Sequence, residues 1–204
     1  MIGVIDYGAG NIASVNYALR RIGESSEVVT NPENIPDFSH LVLPGVGSFN
    51  SAMRNLDDGN WINYIKDFVT KNKPLLGICL GMQLLFEEGE EHGKSNGLGL
   101  IPGKVKLMKT DKEKIPHVGW NRLYTVNPHP VMKGVKEHVD FYFVHSYHCI
   151  PSSDKYVINY IKYDKRFVSS VFSGSVIGMQ FHPEKSQPAG LKILRNFCKW
   201  DGIC

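Results

Sequence analysis

The sequence has few cysteines, and their spacing argues against two common ways of stabilising a fold. Its 204 residues include four cysteines, Cys79, Cys149, Cys198 and Cys204, and no two of them form a C-x-x-C pair. Disulfide-rich domains and structural zinc sites both depend on closely spaced cysteines. We therefore expect neither a disulfide framework nor a metal site.

The sequence also lacks any segment typical of a membrane span or a secretory signal. The uncharged stretch around the apolar centre, residues 74–86, has 13 residues, whereas a spanning helix needs about 20 apolar residues. The first six residues contain no basic segment and no small-residue cleavage site, so no signal peptide is expected. These features favour a cytoplasmic protein without a membrane partner.

Neither sign of charge dominates the composition. Lys and Arg number 23 against 20 Asp and Glu, a net charge of +3, which falls short of the clustered excess typical of nucleic-acid binders. The hydrophobic fraction of 42% excludes an intrinsically disordered chain. At roughly 150 residues per domain, we expect one domain over residues 1–204.

Strands and helices alternate in the first half of the sequence. Short apolar runs predict strands at 2–6, 27–30, 40–43 and 75–78. Apolar residues at helical spacing predict helices at 12–22, 61–71 and 80–88. This alternation predicts a parallel sheet covered by helices on both faces.

After Gly103 the pattern changes to strands joined by short polar connections. Further strands are predicted at 104–108, 139–144, 156–162, 168–172 and 176–180, and a final helix at 189–200. The expected fold is therefore a single α/β domain with a mostly parallel central sheet and additional antiparallel strands.

The glycines before the first helix match a dinucleotide-binding pattern only in part. Gly8, Gly10 and Ala13 have the required spacing. The second strand, however, ends at Asn31 without the carboxylate that would hold a ribose. A tight turn is the favoured interpretation, and no cofactor is expected.

Cys79 stands between a predicted strand and a predicted helix, with Gly77 and Gly81 two residues to either side. This spacing is the nucleophile-elbow pattern with Cys in place of Ser. Glycines allow the tight turn, and the N-terminus of a following helix stabilises a thiolate. Most free cysteines are small buried hydrophobic residues, so the elbow alone leaves both interpretations open.

A base for this nucleophile is predicted at the end of the last strand, in the segment His182-Pro183-Glu184. In an extended segment residues i and i+2 lie on the same side, so Glu184 can accept a hydrogen bond from His182. Such a bond fixes the imidazole tautomer and stabilises its protonated form. A surface pair is the alternative, but with Cys79 the two residues make a complete nucleophile, base and orienting group.

Acyl transfer also requires N–H donors for an oxyanion. The N–H of Leu80, directly after the cysteine, is the expected first donor. The glycine-rich segment 44–49 follows the third predicted strand and is the candidate for the second, although an ordinary β-turn is the alternative there.

These motifs together resemble the triad, or class I, glutamine amidotransferases. That family shares G-x-C-x-G, a glycine-rich oxyanion strand and a terminal H-P-E. The resemblance covers nearly the whole chain through further matching segments at 6–11, 97–99, 116–121, 142–147 and 180–186. The segments 116–121 and 8–11 are similar to those of glutaminase subunits that act with a separate cyclase.

The resemblance implies a flavodoxin-like fold and hydrolysis of glutamine to glutamate and ammonia. Cys79 is the implied nucleophile, His182 the acid and base, and Glu184 the orienting group. The implied oxyanion donors are Val46, Gly47 and Leu80. The implied glutamine contacts are Gly47, Gln83, Glu91, Ser146 and Tyr147. Glu91 is the least specific, because an acidic cluster at 87–91 is equally typical of a solvated helix end.

The implied partner is a (β/α)8-barrel cyclase that receives the ammonia, in a heterodimer. Asn11, Trp120 and Lys185 match positions near that interface, although a lone tryptophan is most often a core residue. Histidine biosynthesis is the favoured pathway. The alternatives are a paralogous subunit for amidation of bacterial surface sugars, a stand-alone γ-glutamyl hydrolase, and an inactive binding subunit.

Overall fold

The computed structural model describes residues 1–34 and 37–203, which form fourteen strands and five α-helices. The helices are α1 (Ile12–Arg21), α2 (Phe49–Asp58), α3 (Trp61–Thr70), α4 (Leu80–Leu84) and α5 (Gln187–Lys199). The strands of the main sheet are β1 (Ile2–Ile5), β2 (Ser26–Val29), β3 (His40–Leu43), β4 (Leu75–Ile78), β9 (Tyr124–Thr125), β12 (Val157–Tyr163), β13 (Lys165–Ser173) and β14 (Val176–Met179). The remaining strands are β5 (Phe86–Gly89), β6 (Ser95–Asn96), β7 (Ile101–Leu107), β8 (His117–Arg122), β10 (Asp140–His145) and β11 (Tyr147–Pro151).

The main sheet has the strand order β2-β1-β3-β4-β14-β13-β12-β9. Its first five strands pair in parallel and its last three in antiparallel. The beginning of this order is that of the flavodoxin-like α/β folds. The predicted parallel sheet with additional antiparallel strands is therefore present.

Helices cover the central strands on both faces. All residues of β1, β3, β4 and β14 are buried, as in parallel sheets enclosed from both sides. One core cluster contains the apolar faces of α2 and α3, and the other contains those of α1 and α5. Because helices cover both faces of the sheet, the position left for a substrate site is the edge where the parallel strands end.

Two smaller sheets stand beside these strand ends. One is the antiparallel pair β8 and β10, and the other has the order β11-β7-β5-β6. In β10, Phe141, Phe143 and His145 are buried while Val144 is exposed, which is the period of two expected for a strand with one solvent-facing side. Within the described residues, no helix is long and apolar enough to cross a membrane.

Several predicted elements differ from those observed. The helix predicted at 80–88 ends at Leu84, and Phe86 instead pairs with Ile101 of β7. The helix α2 and the strands β8 and β11 were not predicted. The differences at β5 and β8 involve segments held by pairing with distant strands rather than by local propensity. In α2 the apolar residues Phe49, Ala52, Met53 and Leu56 have helical spacing, so its signal was present in the sequence.

The contact between α4 and the end of β3 leaves no room for a side chain at Gly81. A Cβ built there would lie 1.9 Å from the backbone oxygen of Leu43. We expect Gly81→Ala to lower the free energy of unfolding by about 3 kcal/mol, because backbone atoms must move. Urea unfolding followed by tryptophan fluorescence measures this loss.

A matched control is Gly23→Ala. Gly23 has φ of 86° and no atom within 4 Å of the added Cβ, so its cost is only the left-handed penalty of about 1–2 kcal/mol. An equal or smaller loss at Gly81 than at Gly23 would contradict the packing argument.

Candidate active site

Cys79 occupies a sharp turn between β4 and α4. Its φ of 55° and ψ of −110° are rare for a residue with a side chain, and such strain persists only where the surroundings impose it. A Cβ at Gly77 would lie 2.6 Å from the Gly81 oxygen, so the two flanking glycines let the turn close. The structure thus places Cys79 at the elbow that its sequence predicts.

His182 and Glu184 lie beside this elbow because β14 pairs in parallel with β4. His182 Nδ1 donates to Glu184 Oε1 at 2.8 Å, and the two side chains are 3% and 1% exposed. The segment is not extended as predicted, since residues Pro183–Lys185 form a 3₁₀ turn. The predicted contact is nonetheless made, within that turn rather than along a strand.

The environment of His182 favours its protonated form. Burial opposes a positive charge, but interactions with Cys79 and Glu184 outweigh it and raise the pKa of His182 to about 9. His182 Nε2 and Glu184 Oε2 are buried and have no hydrogen-bond partner among the described residues. At neutral pH the imidazolium therefore keeps one N–H available for transfer.

A cavity of about 310 Å³ opens at the sulfur. Its lining contains all the expected oxyanion and glutamine-contacting residues, namely Val46, Gly47, Leu80, Gln83, Glu91, Ser146 and Tyr147, together with Cys79, His182 and Lys185. The structure thus brings together candidates that are spread over most of the sequence. Glu184 lies behind His182, outside this lining.

The glycine-rich segment packs directly against the elbow. A Cβ at Gly45 would lie 2.8 Å from the Gly81 nitrogen and 2.8 Å from the Tyr7 hydroxyl. Gly47 has φ of 101°, a conformation suited to glycine. Leu80 begins α4, so its N–H has no acceptor within the helix. Both segments therefore contribute residues to the cavity lining, namely Val46, Gly47 and Leu80.

Two of the expected glutamine contacts already have internal partners. Glu91 Oε2 accepts from the Phe49 N–H at 2.7 Å, at the start of α2, so Glu91 is anchored and does not belong to a solvated helix end. Gln83 Nε2 donates to Tyr147 O at 3.2 Å and to Gln180 Oε1 at 3.1 Å. Only the Oε1 of Gln83 is therefore left for a substrate.

Two groups that touch the sulfur were missed from the sequence. Gln180 Nε2 donates to Cys79 Sγ at 3.8 Å, and Cys79 Sγ donates to Val144 O at 3.8 Å. Gln180 precedes His182 by two residues, so the period of a strand places it on the same side. That signal was available, whereas the Val144 contact depends on the folding of β10 over the site.

A pair of buried histidines supports the same wall of the cavity. His145 Nδ1 donates to Tyr147 O at 2.8 Å, and its Nε2 accepts from His117 Nδ1 at 3.2 Å. Burial lowers the pKa of His117 to about 4. Burial also lowers the pKa of His145 to about 3, against a smaller opposing effect of the Tyr147 carbonyl. Both rings are therefore neutral at neutral pH.

The three candidate interface residues do not form one cluster. Trp120 is 48% exposed, and its ring centroid lies 5.7 Å from that of Tyr142. Lys185 Nζ lies 5.7 Å from the Tyr142 ring, so Tyr142 joins these two residues. Asn11 is at the start of α1, where its side chain makes no capping hydrogen bond.

The other cysteines lack the surroundings of Cys79. Cys149 is buried in the core, and Cys198 is partly buried, where burial and the charge of Glu24 raise the pKa of its thiol to about 12. Cys204 lies outside the described residues. In residues 1–34 and 37–203, no group of three or more His, Cys, Asp or Glu is placed to hold a metal ion.

Comparison with known proteins agrees with this geometry. The family model described as glutamine amidotransferase class-I matches residues 3–200. The chain belongs to the class I glutamine amidotransferases. The resemblance noted in its motifs and the expected enzyme class are thereby confirmed.

Relatives of this amidotransferase match along its whole length. The imidazole glycerol phosphate synthase subunit HisH of Sulfurimonas denitrificans is 46% identical, with 100% of both chains covered. The protein of the same name from Aquifex aeolicus is 47% identical, covering 95% of this chain and 94% of its own. The similarity to HisH subunits is therefore not confined to the catalytic motifs.

Solved structures confirm the expected fold class. A chain of the PurLQS structure from Thermotoga maritima superposes with a TM-score of 0.77 at 19% identity, covering 97% of each chain. A crystal structure described as a glutamine amidotransferase superposes with a TM-score of 0.74 at 19% identity, covering 99% of each chain.

The raised pKa of His182 makes a pH dependence testable. We expect kcat/KM for glutamine to fall above about pH 9, as the imidazolium loses its proton. Glu184→Gln removes one of the charges that raise this pKa, so the falling limb should move to lower pH by about 1 unit. A pH profile of glutamate release measures both effects.

Glu88→Gln provides the control. Glu88 pairs with Lys94 at the surface, away from the cavity, so its removal should leave the profile unchanged. A falling limb at the same pH in Glu184→Gln and in the unaltered chain would show that Glu184 does not stabilise the His182 charge.

Proposed function

We propose that this chain hydrolyses glutamine through a thioester on Cys79. The thiolate attacks the side-chain amide carbon, and the C–N bond breaks as His182 gives its proton to the departing ammonia. Neutral His182 then takes a proton from water, whose oxygen attacks the thioester carbon. The C–S bond breaks, glutamate leaves, and the thiolate and imidazolium are restored.

The other site residues have supporting roles in this proposal. Backbone N–H groups of Val46, Gly47 and Leu80 hold the oxyanion of both tetrahedral intermediates. Glu184 orients His182 and offsets its charge. Gln83, Glu91, Ser146 and Tyr147, with Gly47, bind glutamine. The observation that carries the proposal is the elbow cysteine with a buried, protonated His182 at one cavity.

We further propose that the ammonia passes to a (β/α)8-barrel cyclase in a heterodimer. The support is an outer face on β8 and β10, consisting of Val118, Trp120, Tyr142 and Val144, in which Val118, Trp120 and Val144 are exposed and Tyr142 is partly buried. Val118 is opposite Val144, and Trp120 is opposite Tyr142. Lys185 and Val46 extend this face to the cavity, and exposed contiguous apolar surface is typical of interaction sites.

The proposed pathway is histidine biosynthesis in the cytoplasm. The names of the full-length relatives, imidazole glycerol phosphate synthase subunit HisH, favour it over surface-sugar amidation. The outer face supports a subunit with a partner over a stand-alone γ-glutamyl hydrolase, which needs none. The acceptor of the ammonia would bind to the cyclase rather than to this chain.

Replacement of the nucleophile tests the proposed chemistry. We expect Cys79→Ser to reduce glutamate formation by at least about 1,000-fold, because serine is not ionised in this environment. Cys198→Ser, which changes a cysteine outside the cavity, should retain activity. Both variants should keep the thermal unfolding midpoint of the unaltered chain, and glutamine turnover by purified Cys79→Ser would exclude the thioester mechanism.

Addition of a partner tests the proposed assembly. The isolated chain should hydrolyse glutamine slowly and be stimulated by the (β/α)8-barrel cyclase of the same organism. Trp120→Ala should weaken that complex at least about tenfold, since buried tryptophans dominate many interfaces. Isothermal titration calorimetry measures the affinity.

Tyr17→Ala is the matched control, because Tyr17 is an aromatic residue on α1 that is 68% exposed. Its removal should leave the affinity unchanged. Full activity of the isolated chain without a partner would instead favour the γ-glutamyl hydrolase.

A further inference from the structure

Gln180 lies fully buried between Cys79 and Gln83. Its Nε2 donates to Cys79 Sγ at 3.8 Å, and its Oε1 accepts from Gln83 Nε2 at 3.1 Å. No motif in the sequence singled it out for a role. A buried amide that makes two such contacts, one of them to the proposed nucleophile, is a candidate for a function of its own.

The main sheet determines where Gln180 lies. Met179 of β14 is opposite Ile78 of β4, and the Cys79 N–H donates to Met179 O at 2.7 Å. Gln180, which directly follows the end of β14, is therefore next to Cys79. Gln83 is one helical turn beyond Cys79, and its N–H donates to Cys79 O at 3.3 Å, so both glutamines approach the cysteine from fixed elements.

The hydrogen bonds also determine which end of each amide faces its neighbour. The Tyr147 carbonyl can only accept, so Gln83 must present its Nε2 to it. The second N–H of that nitrogen then requires an acceptor, and Gln180 presents Oε1. This leaves the Nε2 of Gln180 directed at the sulfur, because the two ends of an amide cannot exchange without breaking the chain of contacts.

The two contacts at the sulfur favour opposite protonation states. Val144 O accepts from the thiol at 3.8 Å, a contact that becomes repulsive when the proton leaves. The contact from Gln180 becomes stronger, because hydrogen bonds to a charged acceptor are stronger than neutral ones. Cys79 is only 7% exposed, so hydrogen bonds from protein groups contribute strongly to the stability of its thiolate.

We propose that Gln180 is a catalytic residue whose side-chain amide donates a hydrogen bond to the Cys79 thiolate, with Gln83 as the positioning residue that orients it. This role depends on the proposed function, in which the thiolate attacks glutamine. His182 supplies charge to the same sulfur, and Gln180 supplies a fixed donor that needs no proton transfer.

The test is Gln180→Met, which keeps the length of the side chain and removes its donor. The rate of alkylation of Cys79 by iodoacetamide, followed on its peptide by mass spectrometry, reports the fraction of thiolate at each pH. We expect the midpoint of this profile to rise by about 1 pH unit or more, and kcat/KM for glutamine to fall about 10- to 100-fold.

Ser169→Ala is the matched control. Ser169 is buried on β13, its backbone oxygen accepts from the Gln180 N–H, and its hydroxyl has no partner among the described residues. Its removal perturbs the packing beside Gln180 but takes no donor from the sulfur, so the alkylation profile should stay in place. A folded Gln180→Met protein with the unaltered alkylation midpoint would overturn the proposal.

A second measurement decides the question if Gln180→Met does not fold. In the unaltered chain, the NMR resonances of the Gln180 side-chain amide should shift with pH, with the same midpoint as the alkylation of Cys79. In Cys79→Ser, these resonances should not shift near that pH. Amide resonances that do not follow the alkylation midpoint would overturn the proposal. Turnover by Cys79→Ser would instead remove the proposed function itself, so the two failures are distinguishable.

Discussion

The parallel pairing of β4 with β14 is the constraint on which the site depends. It brings together Cys79 and Gln180, which are 101 residues apart in the sequence. The hydrogen bond from the Cys79 N–H to Met179 O lies where the two strands end. Beyond this bond, β4 leads into α4, and β14 leads through Gln180 into the Pro183–Lys185 turn. The nucleophile and the base therefore lie on two segments that separate from the same pair of strand ends. The strained backbone of Cys79 is tolerated because this pairing holds it on one side and Gly81 packs against Leu43 on the other.

The histidines near the active site differ in the direction of their pKa shifts. His182 has a buried carboxylate as its partner and a pKa of about 9. His117 and His145 have only each other and a carbonyl, and burial lowers the pKa of these two to about 4 and 3. The cavity lining therefore combines a protonated imidazole, His182, next to the sulfur with a neutral one, His145. This division follows from which histidine has the Cys79 sulfur and Glu184 beside it, since all three are buried.

Short motifs were predictable from the sequence because their geometry is local. The elbow at Cys79 needs only two glycines and a strand-to-helix change, and His182 with Glu184 needs only a spacing of two. The helix predicted through Phe86 was wrong, because pairing with β7 determines the conformation of that segment. The contact of Val144 with the sulfur had no local signal, since it arises when β10, after pairing with β8, covers the site. Gln180 is intermediate, because strand periodicity indicates its direction and only the fold shows what it meets.

Two residues of β10 direct their side chains to the outer face and their backbone carbonyl oxygens to the active site. The side chains of Tyr142 and Val144 belong to the outer face, whereas the Tyr142 carbonyl accepts from the His182 N–H at 2.9 Å and the Val144 carbonyl accepts from Cys79 Sγ. Surface and reaction centre are thus separated by the thickness of one peptide chain. Any shift of this strand therefore moves the acceptor of the Cys79 thiol and the acceptor of the His182 backbone N–H together.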